Sequence, residues 1–117
     1  MINTMNSYNI GVFSELIACA YLILHGFRIV KRRYITGRLT NRAEIDIIAK
    51  KKDLLIFVEV KRRSNTTEAF NAITSAQIKR LRTAAETYIL QKNWRGNARF
   101  DAIIITPKKL QWIRGAI

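Results

Sequence analysis

The stretch EIDIIAKKKDLLIFVEVK, residues 44–61, sets Asp46, Glu59 and Lys61 into β-branched, apolar segments that read as two strands. With Lys52 and Asp53 as a two-residue hairpin loop, residues whose numbers share a constant sum face each other. Asp46 then lies opposite Glu59, and Glu44 opposite Lys61. Directly opposed residues of an antiparallel pair have Cβ atoms about 5 Å apart, where two carboxylates repel. Three arrangements offset that repulsion: a proton shared by the acids, partial neutralisation by Lys61, or a divalent cation bound to both carboxylates. Mg²⁺ suits the third, since it takes a few carboxylate oxygens, keeps waters and leaves room for a phosphate; the Val60 carbonyl would lie near it.

Strand alternation puts Ile45, Ile47 and Ala49 on one face with Ile56, Val58 and Val60. Glu44, Asp46, Ile48, Phe57, Glu59 and Lys61 share the other. A cross-strand salt-bridge lattice on a solvated face is the plainer account of these acids. Ile48 and Phe57 speak against it: their presence implies that the charged face is covered, and covered acids need partners.

The elements that must position this hairpin follow from periodicity. Residues 8–25 read as a helix with Phe13, Ile17, Ala20, Tyr21 and Leu24 as its main stripe and Gly26 ending it. Its other sides are also mostly apolar, so burial on more than one side is expected. Glu15, the only charged residue before Arg28, projects away from the stripe beside Ala18, Cys19 and Leu22. Residues 27–35 read as a strand, 36–42 as a basic loop, 44–50 and 54–61 as the hairpin strands, and 64–67 as a polar loop. Thr74 with Gln77 forms a capping box that opens a helix to about residue 91, with Ile78, Leu81, Ala85 and Tyr88 inward. A strand over 99–106 stops at Pro107, and 110–113 closes the chain's order as α-β-β-β-α-β-β.

A chain of 117 residues is expected to be one domain, 1–117. Its formal charge of +13 is spread from Arg28 to Arg114 rather than held in a tail. Such a field favours a polyanion, nucleic acid first, although a basic surface also serves solubility alone. No stretch pairs a basic helix face with a wholly apolar one, so no membrane partner is expected. One Cys (Cys19) and one His (His25) exclude a thiolate or imidazole zinc site, and any metal falls to carboxylates. The unpaired Cys19 suits a reducing compartment, and the apolar run over 16–24 is too short to span a bilayer; a cytoplasmic protein is expected.

Asp46, a dozen residues, then Glu59-Val60-Lys61 resembles the D…(D/E)-x-K signature of restriction-endonuclease-like nucleases. The segments GVFSELIACAYLILHGFRI, EIDIIAKKKDLLIFVEVKRR, ITSAQIKRLRTAAETYI and RFDAIII, which cover most of the chain, are similar to the small bacterial YraN-like family of predicted endonucleases, distantly similar to archaeal Holliday-junction resolvases. The resemblance implies an α/β fold, a mixed β-sheet flanked by helices, and a Mg²⁺- or Mn²⁺-dependent centre that cuts phosphodiester bonds. It implies that Asp46 and Glu59 bind metal, that Lys61 orients or activates the attacking water, and that Glu15 completes the metal site. Gln77 falls where such nucleases often place a polar residue, but its cap already accounts for it. Asp101 matches the family's RFD, and pairing with Arg99 or Arg28 is the simpler role. Ala43 and Ser14 replace glycines usual before the second-strand and first-helix acids. The loop over 35–42 looks longer than usual, and 61–69 shorter.

Arg62 and Arg63, with Arg33, Arg38 and Arg42, are the expected phosphate contacts, DNA more than RNA, and a homodimer would suit a junction-cutting enzyme. Trp94 and Trp112 are candidates for stacking on unpaired bases, though core packing is the commoner use. Three classes of function fit: a metal-dependent nuclease, a non-catalytic nucleic-acid-binding module that retains the acids structurally, and an interaction protein charged only for solubility.

Overall fold

Two left-handed residues end the long helices and set the chain's turns. The structure, a computed structural model, describes residues 7–37 and 42–117. The first helix, α1 (Ser7–Leu24), closes with Gly26 at φ 88°, while the N–H groups of Gly26 and Phe27 donate to the Ile23 and Leu22 carbonyls. Asn93, at φ 52°, does the same for the helix Ser75–Lys92. Glycine and asparagine tolerate this conformation best, which is why the breaks fall there.

Between and after them run β1 (Arg28–Thr36), β2 (Ala43–Lys51), β3 (Leu54–Arg62), α2 (Thr66–Asn71), α3 (Ser75–Lys92), β4 (Asn97–Ile105) and β5 (Leu110–Ile113). The strands form one sheet in the order β1-β2-β3-β4-β5, antiparallel except for the parallel pair β3–β4. A parallel pair needs a crossover, and residues 63–96 supply it through α2 and α3. The result is the expected mixed α/β sheet flanked by helices. No described helix is long and apolar enough to cross a membrane.

Each sheet face has its own core. On one, Ala18, Cys19 and Leu22 of α1 pack on Ile47, Ala49, Ile56, Val58 and Ile103. On the other, Leu81, Ala84, Ala85 and Tyr88 of α3 pack on Ile45, Ile48, Leu55 and Phe57. The charged face of the hairpin is therefore covered, as Ile48 and Phe57 implied.

Three details differ from the sequence reading. The buried side of α1 carries Ser14, Glu15, Ala18, Cys19 and Leu22, whereas Phe13 is 56% and Leu24 82% exposed. Small side chains let the helix axis approach the sheet closely, and the bulkier apolar stripe is left outside. Ile45 joins the α3 core although Ile47 joins the α1 core, so strict alternation breaks at Asp46. The polar loop over 64–67 leads directly into α2, whose N-cap Asn65 accepts the Glu68 N–H.

Candidate metal and phosphate site

The hairpin is regular from Lys51 opposite Leu54 up to Ile47 opposite Val58, and there the backbone ladder stops. At the next step the Val60 N–H donates to Asp46 Oδ2 at 2.8 Å, so a side chain takes the place of a main-chain acceptor. β3 stays extended because β4 pairs with it from Leu54–Asn97 to Arg62–Ile105. The strands therefore part where the acids lie. Glu44, paired with Ile35 of β1, does not ladder with Lys61 as the extrapolated register required.

Asp46 and Glu59 are brought together. Glu59 is buried, at 4% exposure, with Oε2 accepting from Gln77 Nε2 at 3.1 Å and Oε1 lying 3.6 Å from Lys61 Nζ. The Asp46 carboxyl is held well above the usual aspartate range. Burial is the main cause, followed by the hydrogen bond and charge of Glu59, with a smaller push from Glu44 and an opposing pull from the Val60 N–H. Asp46 therefore holds a proton more tightly than a free aspartate does, and Lys61 lies beside the pair as a partial counter-charge.

Gln77 owes its position to α3. Thr74 caps that helix by accepting the Gln77 N–H at 3.1 Å, but the Gln77 side chain does not complete the box; it reaches Glu59 instead. Sequence reasoning assigned Gln77 wholly to the cap. The only signal of its second role was the family position it occupies.

Glu15 faces the sheet, and its Oε1 accepts from Arg33 Nε at 2.9 Å. Burial raises its carboxyl, Arg33 offsets part of that, and the nearby charges of Asp46 and Glu44 raise it further. Glu15 is near enough to feel Asp46 but is held by Arg33. Among the described residues, no group of three or more His, Cys, Asp or Glu side chains is gathered closely enough to hold a metal. The converging oxygen donors are those of Asp46 and Glu59.

Two clefts flank the acids. One, of about 350 Å³, lies between Ser14 and Glu15 of α1 and the end of β3, with Val60, Lys61, Arg62 and Arg63 in its lining. The other, about 200 Å³, lies on the α3 side between Arg42, Glu44, Gln77 and Arg80. Arg42, Arg62 and Arg63 are exposed, so these expected phosphate contacts border the clefts; Arg38 lies outside the described residues. Arg33 instead turns inward to Glu15. Arg80, read from the sequence only as an outward-facing helix residue, joins the basic rim. Trp94 has a structural role, donating Nε1–H to the Asn97 carbonyl at 2.9 Å under Lys50. Asp101 is fully buried and accepts from Arg99 Nε and Nη2, Trp112 Nε1 and Gly115 N.

The mixed α/β sheet that the motifs implied is present, and two acids meet where its central hairpin strands part. The chain belongs to the uncharacterised protein family UPF0102, whose sequence pattern matches residues 14–105. A UPF0102 protein of Rhodopseudomonas palustris (strain BisB18) is 39% identical over 106 residues, 89% of this chain and 76% of its own. The UPF0102 protein RHECIAT_CH0000358 of Rhizobium etli (strain CIAT 652) is 37% identical over 102 residues, 86% of this chain and 80% of its own. A Nitrobacter winogradskyi UPF0102 protein is 38% identical over 106 residues, 89% of this chain and 86% of its own. The YraN-like resemblance drawn from the four segments agrees with this membership.

Proposed function

We propose that this protein is a Mg²⁺- or Mn²⁺-dependent endonuclease acting on DNA, with Asp46, Glu59 and Lys61 as its catalytic residues. The observation that carries this reading is the pair Asp46 and Glu59, opposed at the parting end of β2 and β3 with Lys61 on the same strand.

The donor set fits a hard divalent cation. Both acids offer carboxylate oxygen, and the Asp46 carboxyl is raised first by burial and then by the adjacent Glu59, with the Val60 N–H opposing. A cation would compete with protons for such a pair, so its affinity would rise with pH. When bound, the ion supplies an acidified water and neutralises charge at a phosphate. Asp46, Glu59 and the Val60 carbonyl would hold it, with Glu15 joining them on release from Arg33.

The remaining chemistry belongs to the chain. Gln77 fixes one oxygen of Glu59 and so sets its orientation. Lys61 Nζ orients the attacking water or holds a phosphate oxygen. Arg62, Arg63 and Arg42 neutralise phosphates on either side of the scissile bond, which positions the strand without reading bases. Branched DNA is the substrate class that the resemblance to junction resolvases favours.

The test is cleavage of labelled linear, flapped and four-way-junction DNA in Mg²⁺ and in Mn²⁺, with wild type beside Asp46→Ala and Glu59→Ala. Metal-dependent cutting by wild type and by neither variant is expected. Binding without cutting by wild type would overturn the enzyme and leave a basic nucleic-acid-binding module.

A further inference from the structure

Beyond the C-terminal end of α1, away from the acids, the structure builds a second kind of pocket. Trp112 of β5 stands among Tyr21, His25 and Phe27, with ring centroids at 6.0, 5.4 and 5.6 Å and planes near perpendicular. The Arg114 guanidinium lies over the indole at 4.2 Å from its centroid. Beside these rings opens a pocket of about 290 Å³ whose lining includes Lys51, Arg99 and Arg114 and no acid.

The buried Asp101 organises two of these walls. It accepts Trp112 Nε1–H at 2.9 Å and grips Arg99 side-on through Nε and Nη2, which fixes the guanidinium plane and leaves Nη1 for another acceptor. Lys51 Nζ gives one hydrogen bond to the His25 carbonyl at 3.0 Å. Arg114 is exposed and makes no ion pair among the described residues. Asp101 already pairs with Arg99, but Lys51 and Arg114 have no acid beside them in the lining, so the aromatic-walled pocket keeps an excess of positive charge that an anion would offset. A ligand that answers both features has a planar ring and a phosphate.

We propose that this pocket is a nucleotide subsite for an unpaired strand, with the base against the Trp112 and His25 rings and the phosphate held by Lys51, Arg99 and Arg114. It rests on the nucleic-acid part of the proposed function but not on cleavage. Ten residues separate Glu15 from His25, which follows the last residue of α1, or about 15 Å at 1.5 Å per helical residue. That is about four to five base steps at the duplex spacing of 3.4 Å, within the span of a hexamer.

The chain has two tryptophans, so in a Trp94→Phe background the indole emission reports Trp112 alone. The experiment titrates that protein with a thymidylate hexamer without metal, and separately with thymidine and with inorganic phosphate. Saturable quenching by the hexamer is expected, about ten-fold weaker in affinity for Arg114→Glu, whose melting temperature should be unchanged. Equal quenching by phosphate alone, or unchanged affinity in Arg114→Glu, would overturn the subsite. DNA cleavage by a protein whose Trp112 emission ignores the hexamer would overturn this inference and leave the nuclease standing. Quenching with no cleavage of any substrate would do the reverse.

Discussion

Arg33 Nε and Glu15 Oε1 meet at 2.9 Å across the interface of β1 and α1, and Arg33 does so from a left-handed backbone at φ 55°. In the ladder, Arg33 stands between the pairs Arg32–Ile47 and Tyr34–Ile45, and so beside Asp46. An acid of the candidate site is thus held by a strained basic residue of the edge strand. A double-mutant cycle of Glu15→Gln and Arg33→Ala in urea unfolding should give a coupling of about 1 kcal/mol. Arg33→Gly should be about 1 kcal/mol less destabilising than Arg33→Ala, because glycine accepts the positive φ. Zero coupling would mean that the contact holds nothing.

Asp46 binds its proton more tightly in the folded chain than in the unfolded one, so its ionisation weakens the fold. Its stabilising effect is complete below the ordinary aspartate value of 3.8 and is lost as pH climbs through the raised folded value. Asp46→Asn keeps an acceptor for Val60 N–H and offers Glu59 a donor without the titration. Melting across a pH series should show the variant gaining on wild type above pH 4, to about 1 kcal/mol at pH 8. A difference that does not change with pH would contradict this account.

Thr74 and Gln77 should separate stability from chemistry. Thr74→Ala removes the α3 cap and should cost about 1 kcal/mol in unfolding. Gln77→Ala leaves the Thr74 cap in place, since that bond uses the backbone N–H of residue 77, but removes the amide that holds Glu59 Oε2. Its expected signature is a ten-fold or larger fall in metal-dependent cleavage, or in metal affinity, with little change in melting. Equal effects of both variants on melting and on cleavage would reduce Gln77 to a structural residue.

Asp101 is where the fold should be least forgiving. Asp101→Ala removes four hydrogen bonds at once and leaves Arg99 without its partner. Arg99 is part-exposed and can turn to water, but the other donors lose a fully buried acceptor, a loss of about 2–3 kcal/mol. Equilibrium urea unfolding should show that loss, and one below about 1 kcal/mol would show that water replaces the carboxylate cheaply.

The acidic hairpin was legible in the sequence because its signals agree: β-branched alternation, a two-residue turn and an extrapolated pairing that put Asp46 opposite Glu59. Where Val60 N–H turns to a side chain, that extrapolation ends, and Ile45 and Glu44 fall where strand alternation does not put them. The orientation of α1 was hidden for a different reason. A helix apolar on nearly every side has no periodicity that marks its buried face, and the outcome turned on the size of Ser14, Ala18 and Cys19 rather than on hydrophobicity. The helix α2 did leave a signal, Asn65 followed three residues later by Glu68, but six residues give too short a period to recognise. Gln77 shows how a local motif conceals a distant contact, since its backbone completes the cap while its side chain serves Glu59.

The parallel pair β3–β4 has a consequence for the order in which the chain folds. β2 and β3 need only the turn at Lys52 and Asp53 to meet, whereas β4 must wait for the long crossover to close. Local hairpins form in about 1–10 µs, and non-local pairings come later. Refolding should therefore show proton uptake that trails hairpin formation, because burial is the largest cause of Asp46's raised carboxyl and arrives with the completed sheet. The hairpin is made while its acids are still in water, and the layers that shelter them close afterwards.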